Sequence, residues 1–467
     1  MTTKYEALAK DIEALIASGT LAIGDRLPSV RDTVAARGLS PATVFEAYYL
    51  LEARGLVEAR PRAGYFVKAV PAPREEPRSA TPHQGSRPVA IHDVAQAVLG
   101  PMRNRQVAPL GSAFPSPELF PLDRLARGMG AAMRRLDPRQ LLEDLTPGNA
   151  ELRRQIALRG VAQGVNIGVD EVVVTSGAME ALTLALQAVT QPGDVVAIES
   201  PAFYGCLLTL ERLQLKAVEV ATHPRTGVQL DSLAEVLRRH PVKACWFMPN
   251  FQNPLGALMP EDAKRAMVAL LARPGVPLIE DDVYAELYFG AQRPLPAKAW
   301  DREGGVMHCS SFSKSLAPGY RVGWVSAGRF APQVNRLKFM STLGVSVPSQ
   351  LAVLHFLQHG AFDKHLRQLR AALAARQQRA LLAIEKHFPD GTRVTRPEGG
   401  YFLWVELPDA VDAMALQQAA LARHISVAPG SLFSADKRFR HHLRLNVGHP
   451  RLDQLDAALK TLGRLVG

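Results

Sequence analysis

At 467 residues, with 47% hydrophobic and 21% charged side chains, the chain has the make-up of an ordinary folded protein with room for two or three domains. No apolar run approaches the roughly 20 residues of a membrane span, and Asp11 and Glu13 interrupt the first helical stretch where a leader would be apolar, so no membrane partner and a cytoplasmic location are expected. The net charge of +11 favours polyanions, but residues 1–70 hold nine Lys/Arg against eight Asp/Glu, so charge alone nominates no DNA-binding region; Cys206, Cys245 and Cys309 are too scattered for a disulfide framework or a zinc site and read as buried thiols.

In chain order, the spacing of Tyr5, Leu8, Ile12, Leu15 and Ile16 predicts a helix over 4–18, stopped by Gly19. A second helix is expected after Ser29 as N-cap, with Asp32 as an acidic partner for its dipole and Gly38 at its end. Ser40 caps a third, with Pro41 at its first position and Val44, Ala47, Tyr48 and Leu51 on one face. Two short strands then flank Arg60-Pro61-Arg62-Ala63-Gly64. Three helices and a hairpin make a winged helix-turn-helix over residues 1–70; a small packing or dimerisation module is the alternative. The wing carries Arg60 and Arg62, which suits contact with the phosphates of double-stranded DNA.

This region resembles the GntR-type winged helix, through Gly24-Asp25-Arg26-Leu27-Pro28-Ser29-Val30-Arg31, Leu39-Ser40-Pro41-Ala42-Thr43-Val44, Ala47-Tyr48, Leu51 and Gly55-Leu56-Val57. The resemblance implies that Arg31, Ser40 and Thr43 approach DNA. Pro41 and Phe45 stand where many relatives carry Arg or a polar residue, which implies weaker non-specific binding or a different phosphate footprint.

Residues 71–89 are polar and proline-rich without periodicity and read as a linker, able to span roughly 55 Å if extended as polyproline II. From residue 90 to 467, helices alternate with short apolar strands. Strands are expected at 172–175, 195–198, 244–248 and 276–279, and helices at 178–189 and 260–271, giving an α/β domain with a mostly parallel sheet. A long helix after 360 and a strand at 400–405 introduce a smaller C-terminal α+β lobe.

Chemistry-bearing residues fall at strand ends, where such sheets bind ligands. Lys314, in Ser-Ser-Phe-Ser-Lys-Ser-Leu-Ala-Pro-Gly-Tyr-Arg, can form a Schiff base when deprotonated, while Ser311, Ser313 and Arg321 can hold a phosphate; together they point to pyridoxal 5′-phosphate. Asp281, at the end of an apolar strand, needs a partner such as a pyridinium nitrogen, or else it caps a helix. Asn253 and Tyr284 can reach a ring oxygen, Phe203 can stack on a ring or simply pack in the core, and the Thr175-Ser176-Gly177-Ala178-Met179 junction offers a helix N-terminus to an anion. Arg444, in an apolar strand, can bind a carboxylate bidentately or form an internal ion pair.

In this order the motifs resemble the fold-type I aminotransferases. The resemblance implies a Schiff base and proton shuttle at Lys314, ring-nitrogen pairing at Asp281, ring-oxygen contacts from Asn253 and Tyr284, and stacking by Phe203. It also implies phosphate contacts from the Ala178 and Met179 amides, Ser311, Ser313 and Arg321, and a substrate carboxylate on Arg444. Winged helix, linker and aminotransferase-like domain in sequence resemble the MocR subgroup of GntR regulators, which implies a domain-swapped homodimer responding to the cofactor or to an amino acid or amine. Many relatives place a tyrosine before the Pro-Gly near 147; here Glu143, Asp144 or Leu145 stands there, so cofactor affinity or turnover is expected to be lower. Transcription regulation is the leading reading. A working aminotransferase with an accessory N-terminal module, and a scaffold that has lost its cofactor, are the competitors.

Overall fold

The computed structural model describes residues 4–53, 56–60, 63–68, 74–83, 85–100, 106–449 and 451–467. At the N-terminus, helices α1 (Lys4–Ala17), α2 (Val30–Arg37) and α3 (Pro41–Ala53) precede strands β1 (Val57–Arg60) and β2 (Gly64–Val67). The strands pair antiparallel, Val57 opposite Val67 and Arg60 opposite Gly64. Leu8, Ile12, Leu27, Val44, Tyr48 and Leu51 form the core that unites them. Ser29 accepts the Asp32 N–H as N-cap of α2, and Gly38 ends it in the left-handed conformation.

Tyr48 ties α3 to the turn before α2. Its hydroxyl donates to the Pro28 carbonyl at 2.7 Å and shares a hydrogen bond with Thr33 Oγ1 at 2.8 Å. Tyr48→Phe is expected to destabilise the winged helix by about 1–2 kcal/mol, because it leaves a buried Thr33 hydroxyl with one partner fewer. Faster hydrogen exchange of the α3 amides, with the rest of the chain unchanged, is the measurement.

The large domain is built on β3 (Arg87–Pro88), β4 (Val172–Thr175), β5 (Val195–Ser200), β6 (Lys216–His223), β7 (Val242–Phe247), β8 (Leu278–Asp281), β9 (Val306–Ser311) and β10 (Gly323–Ser326). Their order across the sheet is β3-β6-β5-β7-β8-β9-β10-β4. Strands β6, β5, β7, β8 and β9 run parallel. Strand β10 is antiparallel to both neighbours, and β3 runs antiparallel along the edge. Helices α4 (Ala178–Val189) and α5 (Glu261–Ala272) follow strands at the expected places.

Strand β8 is displaced from the expected 276–279. Pro277 has no N–H for the ladder, and pairing starts at Leu278, whose N–H reaches the Gly305 carbonyl. The shift draws Glu280 and Asp281 into the strand. Glu280 is accommodated there because its carboxylate accepts the N–H groups of Ala297 and Lys298.

The small lobe holds the long helix α6 (Phe362–His387), strands β11 (Arg393–Val394), β12 (Phe402–Glu406), β13 (Ala428–Pro429) and β14 (His442–Asn446), and α7 (Leu452–Val466). Its sheet order is β11-β12-β14-β13. Arg444 lies opposite Trp404 on one side and Ala428 on the other. Among the described residues no helix is long and apolar enough to cross a membrane, and no cluster could hold a metal ion.

The proline-rich segment does not stand free over residues 74–81. Arg74 donates to the carbonyls of Glu385, Phe388 and Pro389 at the end of α6 and pairs with the Glu385 carboxylate. Glu75 bridges to Arg393, Glu76 to Arg225, the Arg78 N–H reaches Glu406, and the Thr81 carbonyl accepts from Arg438. The long polyproline reach expected from composition is thus taken up by a strap across the small lobe and onto the large domain. An arginine satisfying unpaired helix carbonyls is the physical reason.

Candidate active site

Lys314 follows β9 and is half-buried where the large domain meets the small lobe. Its Nζ donates to the Ala113 carbonyl at 2.8 Å and lies 3.6 Å from the centre of the Phe114 ring. Burial, then the neighbouring Arg444 guanidinium, lower its pKa to about 7, against an opposing pull from Asp281. A neutral amine is the nucleophilic form. Covalent capture of a phosphorylated aldehyde is therefore expected to be fast above about pH 7 and to fall about tenfold per pH unit below it. Stopped-flow absorbance across pH 5–9, read on a ~1-unit grid, measures this; a rate still climbing tenfold per unit at pH 9 would contradict the microenvironment.

Asp281, the last residue of β8, is 1% exposed, and its Oδ1 has no hydrogen-bond partner among the described residues. Burial, reinforced by Asp282, raises its pKa to about 7, while Lys314 pulls the other way. No helix is capped by it. A second carboxylate, Asp282, follows the strand and is bound by Arg293 and His308.

Asn253 and Tyr284 come together: Asn253 Nδ2 is 3.5 Å from the Tyr284 hydroxyl, and burial pushes that phenol up from its ordinary value. Arg444 is fully buried, donates to Asn253 Oδ1 at 3.3 Å and to the Ser112 and Gly111 carbonyls, and packs 4.3 Å from the Phe402 ring centre. No carboxylate pairs with it among the described residues, and its Nε has no partner there, so the internal ion pair is not what holds it. Phe203 lies at the start of the helix Tyr204–Arg212, against Tyr204.

A second cluster forms at the N-terminus of α4. Arg321, in the left-handed conformation, donates to Ser313 Oγ and to the Ser176 carbonyl, both at 3.0 Å. Gly177, at φ 86°, is required there: a Cβ would collide with the Arg321 guanidinium. Ser311 and Ser313 are buried alongside, and the Ala178 and Met179 amides open α4, where N–H groups lack intrahelical acceptors.

Sequence reasoning missed the segment Gly111–Phe114 altogether. Lys314, Arg444, Tyr401 and Asn446 all donate to its carbonyls. Its one local signal is the pair Gly111-Ser112 between Pro109 and Pro115. Glu199, at the end of β5, is also buried with one oxygen unpartnered among the described residues, and burial raises its pKa to about 8.

On the winged helix, Arg31 and Ser40 are exposed and Thr43 is half-buried. Ser40 Oγ caps α3, accepting the Thr43 N–H at 3.2 Å and sharing a hydrogen bond with Thr43 Oγ1. Arg60 is exposed but donates to Glu58 and stacks on Phe66, so it carries less free charge than a bare wing arginine. Arg62 lies outside the described residues. Phe45 and Tyr49 form an exposed stacked pair on α3, 6.2 Å between centres.

Two family models match the chain: "Bacterial regulatory proteins, gntR family" over residues 4–67 and "Aminotransferase class I and II" over 122–462. The HTH-type transcriptional regulator YdcR of Escherichia coli K12 is 48% identical across 99% of both chains. The chain belongs to the MocR-type GntR regulators. The HTH-type transcriptional regulator YjiR of the same organism is 37% identical over 99% of both chains. Among solved structures, a kynurenine aminotransferase of Pyrococcus horikoshii superposes with a TM-score of 0.75 at 28% identity, covering 80% of this chain and 94% of that one. The α-aminoadipate aminotransferase LysN of Thermus thermophilus, complexed with N-(5′-phosphopyridoxyl)-L-leucine, gives 0.71 at 28% identity over 81% and 98%. The MocR-type C-terminal domain therefore has the fold-type I aminotransferase architecture, and such neighbours imply use of pyridoxal 5′-phosphate.

Proposed function

We propose that this regulator binds operator DNA through its winged helix and senses an amino acid or amine through pyridoxal 5′-phosphate held at Lys314. The observation that carries the reading is Asp281: a fully buried carboxylate whose Oδ1 is left without a partner beside a lysine of lowered pKa. An unpartnered buried acid is costly unless a ligand completes it, and a ring nitrogen bearing a proton is the complement. When bound, the cofactor supplies an electrophilic aldehyde and an electron-withdrawing ring. Lys314 provides the neutral amine. Asp281 keeps a proton on the ring nitrogen, and Asn253 and Tyr284 present donors to the ring oxygen. Phe203 covers a ring face. Arg321, Ser311, Ser313 and the Ala178 and Met179 amides hold the phosphate. Arg444 takes the carboxylate of the amino compound, its Nε available for the purpose.

The same proposal includes a homodimer with the winged helices exchanged between chains. Leu142, Phe339, Met340 and Leu343 are exposed apolar side chains. The two stretches are joined where Thr146 Oγ1 donates to the Leu343 carbonyl, and exposed apolar side chains on joined stretches suit an interface between copies. Beside it, Asp144 is buried on Asn149 and Glu143 is exposed, so no phenol stands on this edge to meet a partner's phosphate. Arg31, Ser40, Thr43 and the wing arginines Arg60 and Arg62 are placed on DNA, and a cytoplasmic location follows from that role.

The test is a footprint upstream of the coding region, titrated with pyridoxal 5′-phosphate and then with amino acids. A ligand-dependent change in protection is expected; identical protection throughout would overturn the sensing role. Sustained conversion of amino acids with 2-oxoglutarate would instead favour a working aminotransferase.

A further inference from the structure

A cavity of about 420 Å³ lies between the strap, the large domain and the small lobe, and neither Lys314, Asp281 nor Arg444 lines it. Four basic side chains do: Arg225, Lys264, Arg293 and Arg396. Their compensation is uneven. Arg293 is matched by Asp282 at 3.0 Å and Glu286 at 3.3 Å. Lys264 is fully buried and donates to neutral acceptors, Asn250 Oδ1 at 2.6 Å and the Leu295 carbonyl at 2.7 Å. Arg396 makes no hydrogen bond or ion pair among the described residues, and its Nε is buried. Glu76 and Glu385 are the carboxylates that face Arg396, and Glu385 is already held by Arg74 at 3.1 Å.

Three carboxylates also line the cavity, Glu76, Glu261 and Glu398, and Glu76 is the one held by a cavity arginine. Its Oε2 accepts from both Nε and the terminal nitrogen of Arg225, each at 3.0 Å, and Arg225 is 59% exposed. Phe251, Leu258, Met259 and Pro294 give the cavity an apolar floor. A half-buried guanidinium with no hydrogen-bonding partner among the described residues, next to one engaged by a carboxylate from a neighbouring segment, suits a carboxylate with an internal occupant at its edge.

We propose that this cavity is a second ligand site, distinct from the Lys314 site, taking a small carboxylate with an apolar body. The ligand's carboxylate displaces Glu76 from Arg225 and supplies the partner that Arg396 lacks. Glu76 lies two residues beyond Arg74, so its release loosens the strap that leads from the winged helix to the large domain. Inward, Lys264 joins the cavity to Asn250 and through it to Asp282, whose neighbour is Asp281. The strap and the cofactor site are therefore both within reach of one ligand.

The experiment uses the full-length, cofactor-loaded protein and 3-phenylpropionate as probe, with binding followed by calorimetry. Glu76→Gln, which removes the competing charge, is expected to tighten binding about tenfold, and Arg396→Gln to weaken it about tenfold, each the loss of one charge-assisted contact. The probe is also expected to speed tryptic cleavage after Arg78 in the unaltered chain. Neither substitution touches the Lys314 site, so the cofactor absorbance should stay the same in all three proteins. Equal affinity in all three, weaker binding in Glu76→Gln, or no binding at millimolar probe would overturn the proposal. None of these readouts involves DNA, so failure here leaves the regulatory reading standing.

Discussion

Lys314→Ala is expected to abolish covalent capture of pyridoxal 5′-phosphate outright: no visible absorbance band, and no borohydride-trapped mass on the chain. The proposed homodimer should survive, because Lys314 contributes one hydrogen bond, to Ala113, and is not one of the exposed apolar side chains Leu142, Phe339, Met340 and Leu343. Removing a half-buried amine whose pKa desolvation has already lowered costs little folding energy, since that desolvation opposes its charged form. The unfolded chain holds the Lys314 proton up to its ordinary pKa while the folded chain releases it near 7, so this group's contribution to stability rises with pH between those values. The variant should lose that rise. Loss of the oligomer would mean that Lys314 supports the fold.

Arg444→Met should be the second large effect. A buried guanidinium that meets a carboxylate is worth about 2–5 kcal/mol when one partner is removed, so the response to amino acids should weaken by at least about thirtyfold. Spectral titration of the cofactor-loaded protein measures it. Arg444 also holds Asn253 and the carbonyls of Gly111 and Ser112, so some of the loss will come from the loop. Cofactor capture separates the two causes: it depends on Lys314 and the Arg321 cluster, and should persist if Arg444 acts on the carboxylate. Lysine should not rescue, because a point charge cannot reproduce the planar fork.

The winged helix and the α/β order were legible because they are written in local signals: capping residues Ser29 and Ser40, stops at Gly19 and Gly38, and strand-turn-helix junctions such as 175–179. The pairing of Asn253 with Tyr284, and of Arg321 with Ser313, could be anticipated because each residue sits at a strand end of one sheet. What escaped was whatever depends on distant backbone. Gly111–Phe114 contributes carbonyls rather than side chains, and no side-chain pattern advertises a carbonyl. The strap escaped for a similar reason. Arg74 looks like any linker arginine until the carbonyl end of α6, more than three hundred positions later, is brought beside it. The boundary of β8 moved because a proline decides where a ladder begins, while apolar content alone favours the earlier start.

The Ala113 carbonyl is shared. Lys314 and Tyr401 both donate to it, at 2.8 and 2.9 Å, one from the large domain and one from the small lobe. A lysine engaged with a ligand gives up its side of that arrangement, and the segment is left to Tyr401, Arg444 and Asn446. Loading of the site is therefore written into the mobility of Gly111–Phe114, where deuterium uptake at the backbone would report occupancy without any chromophore.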